Sequence, residues 1–246
     1  MLSVCILTKN SENDLPRALA SVASLADETI LIDDFSVDGT IRIAKKSGAR
    51  VYLRHLNSDF ASQRNFALQK AKGDWILFLD SDEEVTPELK AEIRIYLNNP
   101  EIMGVRIQRK DFFLGKMLRY GETGTIRFLR LAKRNSGLWE RSVHEIWNVK
   151  GTVIQTKSWM NHYPHKTIRE FLDDINTYST LQADIFLSEG KTVSLWHMIA
   201  YPVGKFLMNF YWKLGFLDGH QGMIMALCMS YHSFLTRAKL WEKSAR

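Results

Sequence analysis

Cysteine is scarce in this chain of 246 residues: there are two, Cys5 and Cys228. They are far apart and show no metal-ligand spacing, and Cys5 stands inside an apolar run. A disulfide framework or zinc module therefore does not fit, and two free thiols in a reducing compartment are expected. Low-complexity tracts, solenoid or collagen-like periods and internal repeats are also absent. What remains is the composition of a globular protein with a real core, 46% hydrophobic and 24% charged. The chain enters a strand signal at once, Leu2-Ser3-Val4-Cys5-Ile6-Leu7, with no basic n-region or long apolar h-region before it. No signal peptide is expected, and the expected compartment is the cytoplasm. Recognition-helix, zinc-finger and RNA-binding signatures are missing, so no nucleic-acid partner is expected in spite of a net charge of +6.

The charge that is present is unevenly placed. Residues 1–190 carry 26 basic and 25 acidic side chains, whereas residues 191–246 carry 7 and 2. The excess sits on a tail that also holds Trp196, Phe206, Phe210, Tyr211, Trp212, Phe216 and Trp241. A basic, aromatic tail suits an anionic lipid surface.

Apolar runs at Val4–Leu7, Thr29–Ile32, Arg50–Leu53 and Trp75–Leu79 read as strands. Helical spacing covers Asn13–Leu25, Ile41–Lys46 and Ala61–Ala71, and Pro87–Leu97 opens with proline in a first turn and early glutamates. This alternation predicts an α/β fold: a Rossmann-like, mostly parallel sheet with helices on both faces. Thr8-Lys9-Asn10, Asp33-Asp34 and Asp80-Ser81-Asp82 each follow directly on an apolar strand. Ligands of open α/β sheets bind at the carboxyl ends of the strands, so the three clusters describe one candidate site. Two carboxylates at i and i+2, Asp80 and Asp82, can serve one hard cation, Mg²⁺ or Mn²⁺, shared with substrate phosphates. Glu83 and Glu84, next in line, read as charges at the start of the following helix.

Several stretches now point the same way: Thr8-Lys9-Asn10, Ile32-Asp33-Asp34-Phe35-Ser36-Val37-Asp38-Gly39-Thr40, Gln63-Arg64-Asn65-Phe66-Ala67-Leu68 and Gly73-Asp74-Trp75 through Asp80-Ser81-Asp82-Glu83. Val143-His144-Glu145, His162-Tyr163 and Gly215-Phe216-Leu217-Asp218-Gly219 extend the pattern along nearly the whole chain. Together they resemble glycosyltransferase family 2, with its GT-A fold. Within it they are similar to the bacterial subgroup that adds a glucose or related sugar to the lipopolysaccharide inner core. The resemblance implies that Thr8, with Lys9 and Asn10 beside it, Asp33 or Asp34, and Arg64 hold the nucleotide of a UDP-hexose. It implies that Asp80 contacts the ribose or a metal and that Asp82 coordinates Mg²⁺ or Mn²⁺ on the diphosphate. The subgroup carries a small residue where Asp34 stands, and the wider family a second aspartate, which leaves open which of the pair reads the base.

The resemblance also implies an inverting displacement without a covalent enzyme intermediate, and no activated serine or cysteine nucleophile is visible. Negative charge grows on the leaving diphosphate, which a divalent ion stabilises, and the acceptor hydroxyl needs one general base. Glu145 is the candidate base, expected in a partly apolar setting between Leu138–Ser142 and Ile146-Trp147. Glu140 and Asp111 are alternatives, and a salt bridge of Glu145 with Arg141 or Lys150 is the competing structural role. His144-Glu145 is no zinc-protease motif, because Asn148 stands where the second histidine would be. His144 and His162 read as structural histidines or as aids to the metal or phosphate.

Between Arg106 and Arg134 nine basic residues face two acidic ones, Asp111 and Glu122, which suits a phosphorylated acceptor or a solvated face equally. In the tail, Lys205, Asn209 and Lys213 share one helical face, and Phe206, Phe210, Leu214 and Leu217 lie near the opposite side, as in an interfacial amphipathic helix. Gly219–Thr236 is uncharged but polar enough that a membrane span is not expected. The expected organisation is a catalytic domain over 1–190 and a membrane-associating helical tail over 191–246. The enzyme would work at the inner face of the cell membrane on a lipid-linked or phosphorylated saccharide acceptor. Two rivals are a nucleotidyltransferase, whose glycine-rich phosphate loop is missing, and a non-catalytic sugar-nucleotide-binding scaffold.

Overall fold

A computed structural model describes residues 1–124, 126–142, 145–165 and 167–245. Two compact units emerge, one of residues 1–109 and 127–162, the other of 110–126 and 163–246. Two of the boundaries, 109/110 and 162/163, fall inside long strands.

The first unit begins with the expected alternation: β1 (Leu2–Thr8), α1 (Leu15–Val22), β2 (Glu28–Asp33), α2 (Thr40–Lys46), β3 (Arg50–Leu53), α3 (Phe60–Lys70) and β4 (Trp75–Asp80). It continues through β5 (Glu83–Val85), α4 (Pro87–Leu97) and β6 (Ile102–Phe113), whose last residues belong to the second unit. After β7 (Lys116–Met117), β8 (Arg127–Lys133) returns to the first unit. β9 (Gly137–Glu140) and β10 (Ile146–Val149) follow, and then β11 (Thr152–His165), which ends in the second. The strand order is β3-β2-β1-β4-β8-β6-β11-β5. The first four are parallel, and β4–β8, β8–β6 and β11–β5 pair antiparallel. β9 and β10 form a separate two-stranded ribbon.

β1 is central and buried on both faces, which is why it reads as an unbroken apolar run. Its alternate residues feed two cores. Val4 and Ile6 pack with Leu15, Leu19 and Val22 of α1 and Leu89 and Ile93 of α4. Cys5 packs on the other face with Ala61, Ala67 and Leu68 of α3 and with Trp139 and Trp147 of the ribbon. Asp59 caps α3 through Ser62 N–H at 2.9 Å, and Thr86 caps α4, whose first residue is Pro87. The link from α3 into β4 passes so close to β1 that a Cβ on Gly73 would meet the Ser3 nitrogen at 2.7 Å. Glycine is required there by space. Glu83 and Glu84 do not begin a helix as expected. They form β5, paired with Asn161 and His162 of β11, and the acidic first turn is supplied by Glu88 instead.

The second unit holds α5 (Ile168–Ser188), α6 (Leu195–Leu207), a π-helical turn (Met208–Trp212), a 3-10 turn (Gly215–Asp218) and α7 (His220–Ser244). Its core joins Phe113 and Leu118 to Phe171 and Ile175 of α5 and Met225 and Cys228 of α7. Both cysteines are free and buried. Among the described residues no helix is long and apolar enough to cross a membrane. Lys205 and Asn209 do share a helical face, but it turns inward. Asn209 is 3% exposed, and both side chains donate to Glu122, at 2.7 and 3.2 Å.

Candidate active site

Strand register brings the predicted clusters to one sheet end. Thr8 pairs with Asp33, and on the other side of β1 Leu7 pairs with Asp80. A hydrogen bond from Ser81 Oγ to Ser11 Oγ, 2.9 Å, ties the β4 turn to the β1 turn.

At the ends of β1 and β2 the two aspartates have different tasks. Asp33 has no exposed surface and accepts from Thr8 Oγ1 (2.9 Å) and from the Ser36 amide and hydroxyl (2.7 and 2.6 Å). Its carboxylate is used up in joining the strand ends. Asp34 is also largely buried, 9% exposed, and is held by Lys9 Nζ at 2.6 Å and the Leu56 amide at 3.2 Å, with His55 Nδ1 at 3.5 Å. Burial alone would raise its carboxyl; the Lys9 ammonium, the Leu56 N–H and His55 outweigh it and hold the group below the usual range. Asn10 accepts the Val37 amide and donates its own to Ser36. Phe35 has φ 53°, strained for a non-glycine residue, and stacks on His55 with ring centroids 4.0 Å apart. The half-exposed stack lies beside Asp34 and suits a flat heteroaromatic base.

The second cluster is built around Arg64. Its guanidinium is 2% exposed and stands over Phe78 (5.4 Å) and Trp139 (4.8 Å). From there Nη2 donates to Asp80 Oδ1 and Nε to Glu145 Oε1, both at 2.9 Å. The other Asp80 oxygen accepts Arg130 Nη2 at 2.6 Å. Burial opposes the Asp80 charge, but Arg130 and Arg64 overcome it and hold the carboxyl far below the aspartate range. Glu83, fully buried, faces Arg130 at 3.4 Å and Arg109 at 3.8 Å and accepts the Asp80 amide. For Glu83 burial prevails over the pull of Arg130, with Asp80 adding to it, and its carboxyl is pushed up. Glu145 thus lies in an ion pair with Arg64, a partner neither the apolar setting nor the Arg141 and Lys150 alternatives named. Of the other base candidates, Glu140 binds Asn148 Nδ2 on the ribbon, and Asp111 is buried in the second unit. Val143 and His144 fall outside the described residues.

Asp82 faces His162 Nε2 at 3.3 Å. Burial raises its carboxyl, His162 draws it down, and the net position is below the usual range. The described residues contain no group of three or more histidine, cysteine or acidic side chains able to enclose a cation. A carboxylate and an imidazole are nevertheless two adjacent donors. That number suits a divalent ion that takes its remaining ligands from phosphates and water. Asp80, with a guanidinium on each oxygen, is the less available of the pair. A separate cavity of about 400 Å³ opens beside α3, lined by Arg54, Ser62, Asn65, Trp139, Glu140 and Arg141, and holds none of the strand-end carboxylates.

Arg130 and Arg109 were not singled out from the sequence, and Glu83 was read there as a charge at the start of a helix. The available signal was a lone arginine inside an apolar strand, Phe128-Leu129-Arg130-Leu131-Ala132, because an unpaired charge is not buried there.

Comparison with known proteins meets this geometry. The profile of glycosyl transferase family 2 matches residues 3–169. Over 253 residues, 99% of this chain and 93% of the relative, the sequence is 28% identical to the lipopolysaccharide core biosynthesis glycosyltransferase LpsC of Rhizobium meliloti. An uncharacterized glycosyltransferase of Rickettsia typhi is 26% identical over 258 residues, 100% of this chain and 88% of the relative. Among solved structures, glucosyl-3-phosphoglycerate synthase from Mycobacterium tuberculosis, in complex with Mn²⁺, UDP and glucosyl-3-phosphoglycerate, superposes with a TM-score of 0.51. It is 18% identical and covers 79% of this chain and 81% of its own. The likeness is one of fold. With a family profile spanning more than half the chain, the protein belongs to glycosyl transferase family 2 and is a glycosyltransferase on a GT-A fold.

Proposed function

We propose that the chain is an inverting, metal-dependent hexosyltransferase. It moves glucose from UDP-glucose onto a lipid-linked or lipopolysaccharide-core saccharide at the inner face of the cell membrane. The observation that carries this reading is the single guanidinium, Arg64, that holds Asp80 and Glu145 together beside the Asp82–His162 pair. The name of the Rhizobium relative and the Mn²⁺ and UDP of the mycobacterial enzyme support the acceptor class and the donor.

In this reading Asp34 and the Phe35–His55 stack take the base, Asp33 and Thr8 brace the strand ends, and Lys9 and Asn10 shape the same turn. A divalent ion at Asp82 and His162 would supply charge neutralisation at the leaving diphosphate. Arg64 and Arg130 fix Asp80 from both sides, so its orientation costs nothing at the moment of binding. Glu145, aligned by Arg64 Nε, accepts the proton of the attacking hydroxyl. A phosphate on the acceptor would suit the arginines and lysines between Arg106 and Arg134. Residues 1–190 carry the chemistry and 191–246 the attachment to anionic lipid.

The test is a panel of nucleotide sugars in thermal shift and calorimetry with and without Mn²⁺, followed by product analysis. UDP-glucose should raise the melting temperature by mass action only when Mn²⁺ is present, and Asp82→Asn should remove that dependence. Equal stabilisation without metal, or by every nucleotide sugar alike, would overturn the assignment.

A further inference from the structure

The second unit contains a helix packed inside out. Along α6 and the π-helical turn, the inward stripe is Pro202, Lys205 and Asn209. Pro202 and Asn209 are buried, and Lys205 and Asn209 bind Glu122. The outward stripe, at helical spacing, is Trp196, Ile199, Val203 and Leu207, followed by Trp212, with Trp196 72% and Trp212 82% exposed. A soluble helix does the reverse, turning its apolar stripe to the core. The inner contacts are specific: Ser230 Oγ donates to the Pro202 carbonyl at 2.8 Å, and Arg237 stands over the Tyr201 ring at 3.9 Å. The orientation is therefore fixed by α7 and Glu122, and the apolar face is left for something outside the chain.

We infer that this face, from Trp196 to Trp212, docks in the plane of an anionic bilayer surface. The inference rests on the membrane-side reading above and names the element that carries it. Three observations favour lipid over a second copy of the chain. α6 spans 13 residues, too short to cross a bilayer, which suits a helix lying in the interface. Tryptophans close both ends of the stripe, where amphipathic rings suit the headgroup boundary. Between residues 191 and 219 the one acidic side chain, Asp218, is buried on the Arg119 and Tyr120 amides, and of the three lysines there Lys205 is paired with Glu122 and Lys191 with Glu189, which leaves the exposed Lys213 to face anionic headgroups. Apolar insertion dominates, because Lys205 is spent on Glu122.

The experiment uses the full chain and vesicles of phosphatidylcholine with or without phosphatidylglycerol, read by co-sedimentation and by tryptophan quenching with brominated acyl chains. The wild type should bind the anionic vesicles and be quenched. Trp196→Ser with Trp212→Ser should weaken binding at least about tenfold, because two large rings leave the interface. Both side chains are exposed, so melting temperature and UDP affinity should not change. Lys213→Gln should weaken binding less than the tryptophan pair. Absence of quenching, or sedimentation as a dimer that the tryptophan pair dissolves, would overturn the proposal. UDP calorimetry on the same samples separates the two readings. Vesicle binding without UDP binding sinks the donor assignment alone, and UDP binding without vesicle binding sinks the docking face alone.

Discussion

In the first unit Arg64, Arg130 and Glu83 are almost wholly buried and each faces an opposite charge, while in the second the buried polar side chains include Asn209, Asp218 and Ser179, and rows of tryptophan, isoleucine and leucine stand outside. Burying an ion costs several kcal/mol even after relaxation, and pairing returns that cost only when geometry and hydrogen bonds are good. A fold needing only stability would fill those positions with apolar residues. Retaining three guanidiniums and three carboxylates around one strand end serves placement of charge instead. Exposing apolar stripes carries the opposite penalty, a tendency to associate, and is consistent with a surface meant to be covered. One unit spends stability on a charge constellation, the other on an uncovered face.

The sharpest way to break that contrast is at Glu145. Glu145→Gln keeps the oxygen that accepts Arg64 Nε–H and removes the proton acceptor. Turnover should fall by roughly 10²–10⁴-fold, with UDP affinity unchanged and a smaller loss of stability than for Asp80→Asn, because Arg64 keeps Asp80 as its partner. A loss under about tenfold in steady-state rate would transfer the role to Glu140 or Asp111. A stability collapse would make Glu145 part of the scaffold. Asp80→Asn comes next and reads stability. It leaves Arg64 and Arg130 facing an amide, and breaking a buried pair costs about 3 kcal/mol or more. The folded pKa of Asp80 is depressed, so its contribution is complete above the ordinary aspartate value of about 4 and is lost as pH falls through the folded value. Melting curves of wild type and variant should therefore lie apart at neutral pH and converge in acid. A constant gap down to the lowest pH would show that the charge is not what stabilises.

Part of this was legible in the residues and part was not, for physical reasons. Buried parallel strands such as Leu2–Thr8 and Trp75–Asp80 are continuous apolar runs bounded by turns, so the first four strands and their helices could be read directly. The antiparallel half hid its pattern. β6 and β11 are 12 and 14 residues long and mix buried and exposed positions with a bulge at Val105–Arg106, which breaks simple alternation. The strand-end carboxylates were visible because turns place them one after another in sequence. Arg130 and His162 come from strands distant in the chain, and no local spacing rule joins them to Asp80 and Asp82. The tail illustrates a different limit. Periodicity put Lys205 and Asn209 on one face and Phe206, Phe210, Leu214 and Leu217 opposite it, but gave neither the Trp196–Leu207 stripe nor which face turns in, because that was decided by Glu122, 83 residues before Lys205.

Glu122 supplies the smallest test and the one that sharpens the comparison most. It is the second unit's counterpart of Asp80, a carboxylate bound to Lys205 and Asn209; the two carboxylates are about equally exposed, 30% and 29%, but Lys205 is 34% exposed where Arg64 and Arg130 are 3% and 6%. Burial raises its carboxyl, the Lys205 ammonium and Asn209 amide draw it down, and the folded value ends below the ordinary one. Its stability contribution is therefore present above about pH 4.3 and fades as pH falls through the folded value, the same sign as for Asp80. The magnitude differs. Solvent screens a pair this exposed, so Glu122→Gln should cost about 1 kcal/mol or less, and high salt should shrink even that. The Asp80→Asn gap should survive the same salt better, because it rests on two buried guanidiniums, whose charges are screened far less. Urea denaturation of both variants at low and high salt measures the difference directly. If Glu122→Gln costs as much as Asp80→Asn and ignores salt, the second unit also depends on buried charge, and the contrast between the two units fails.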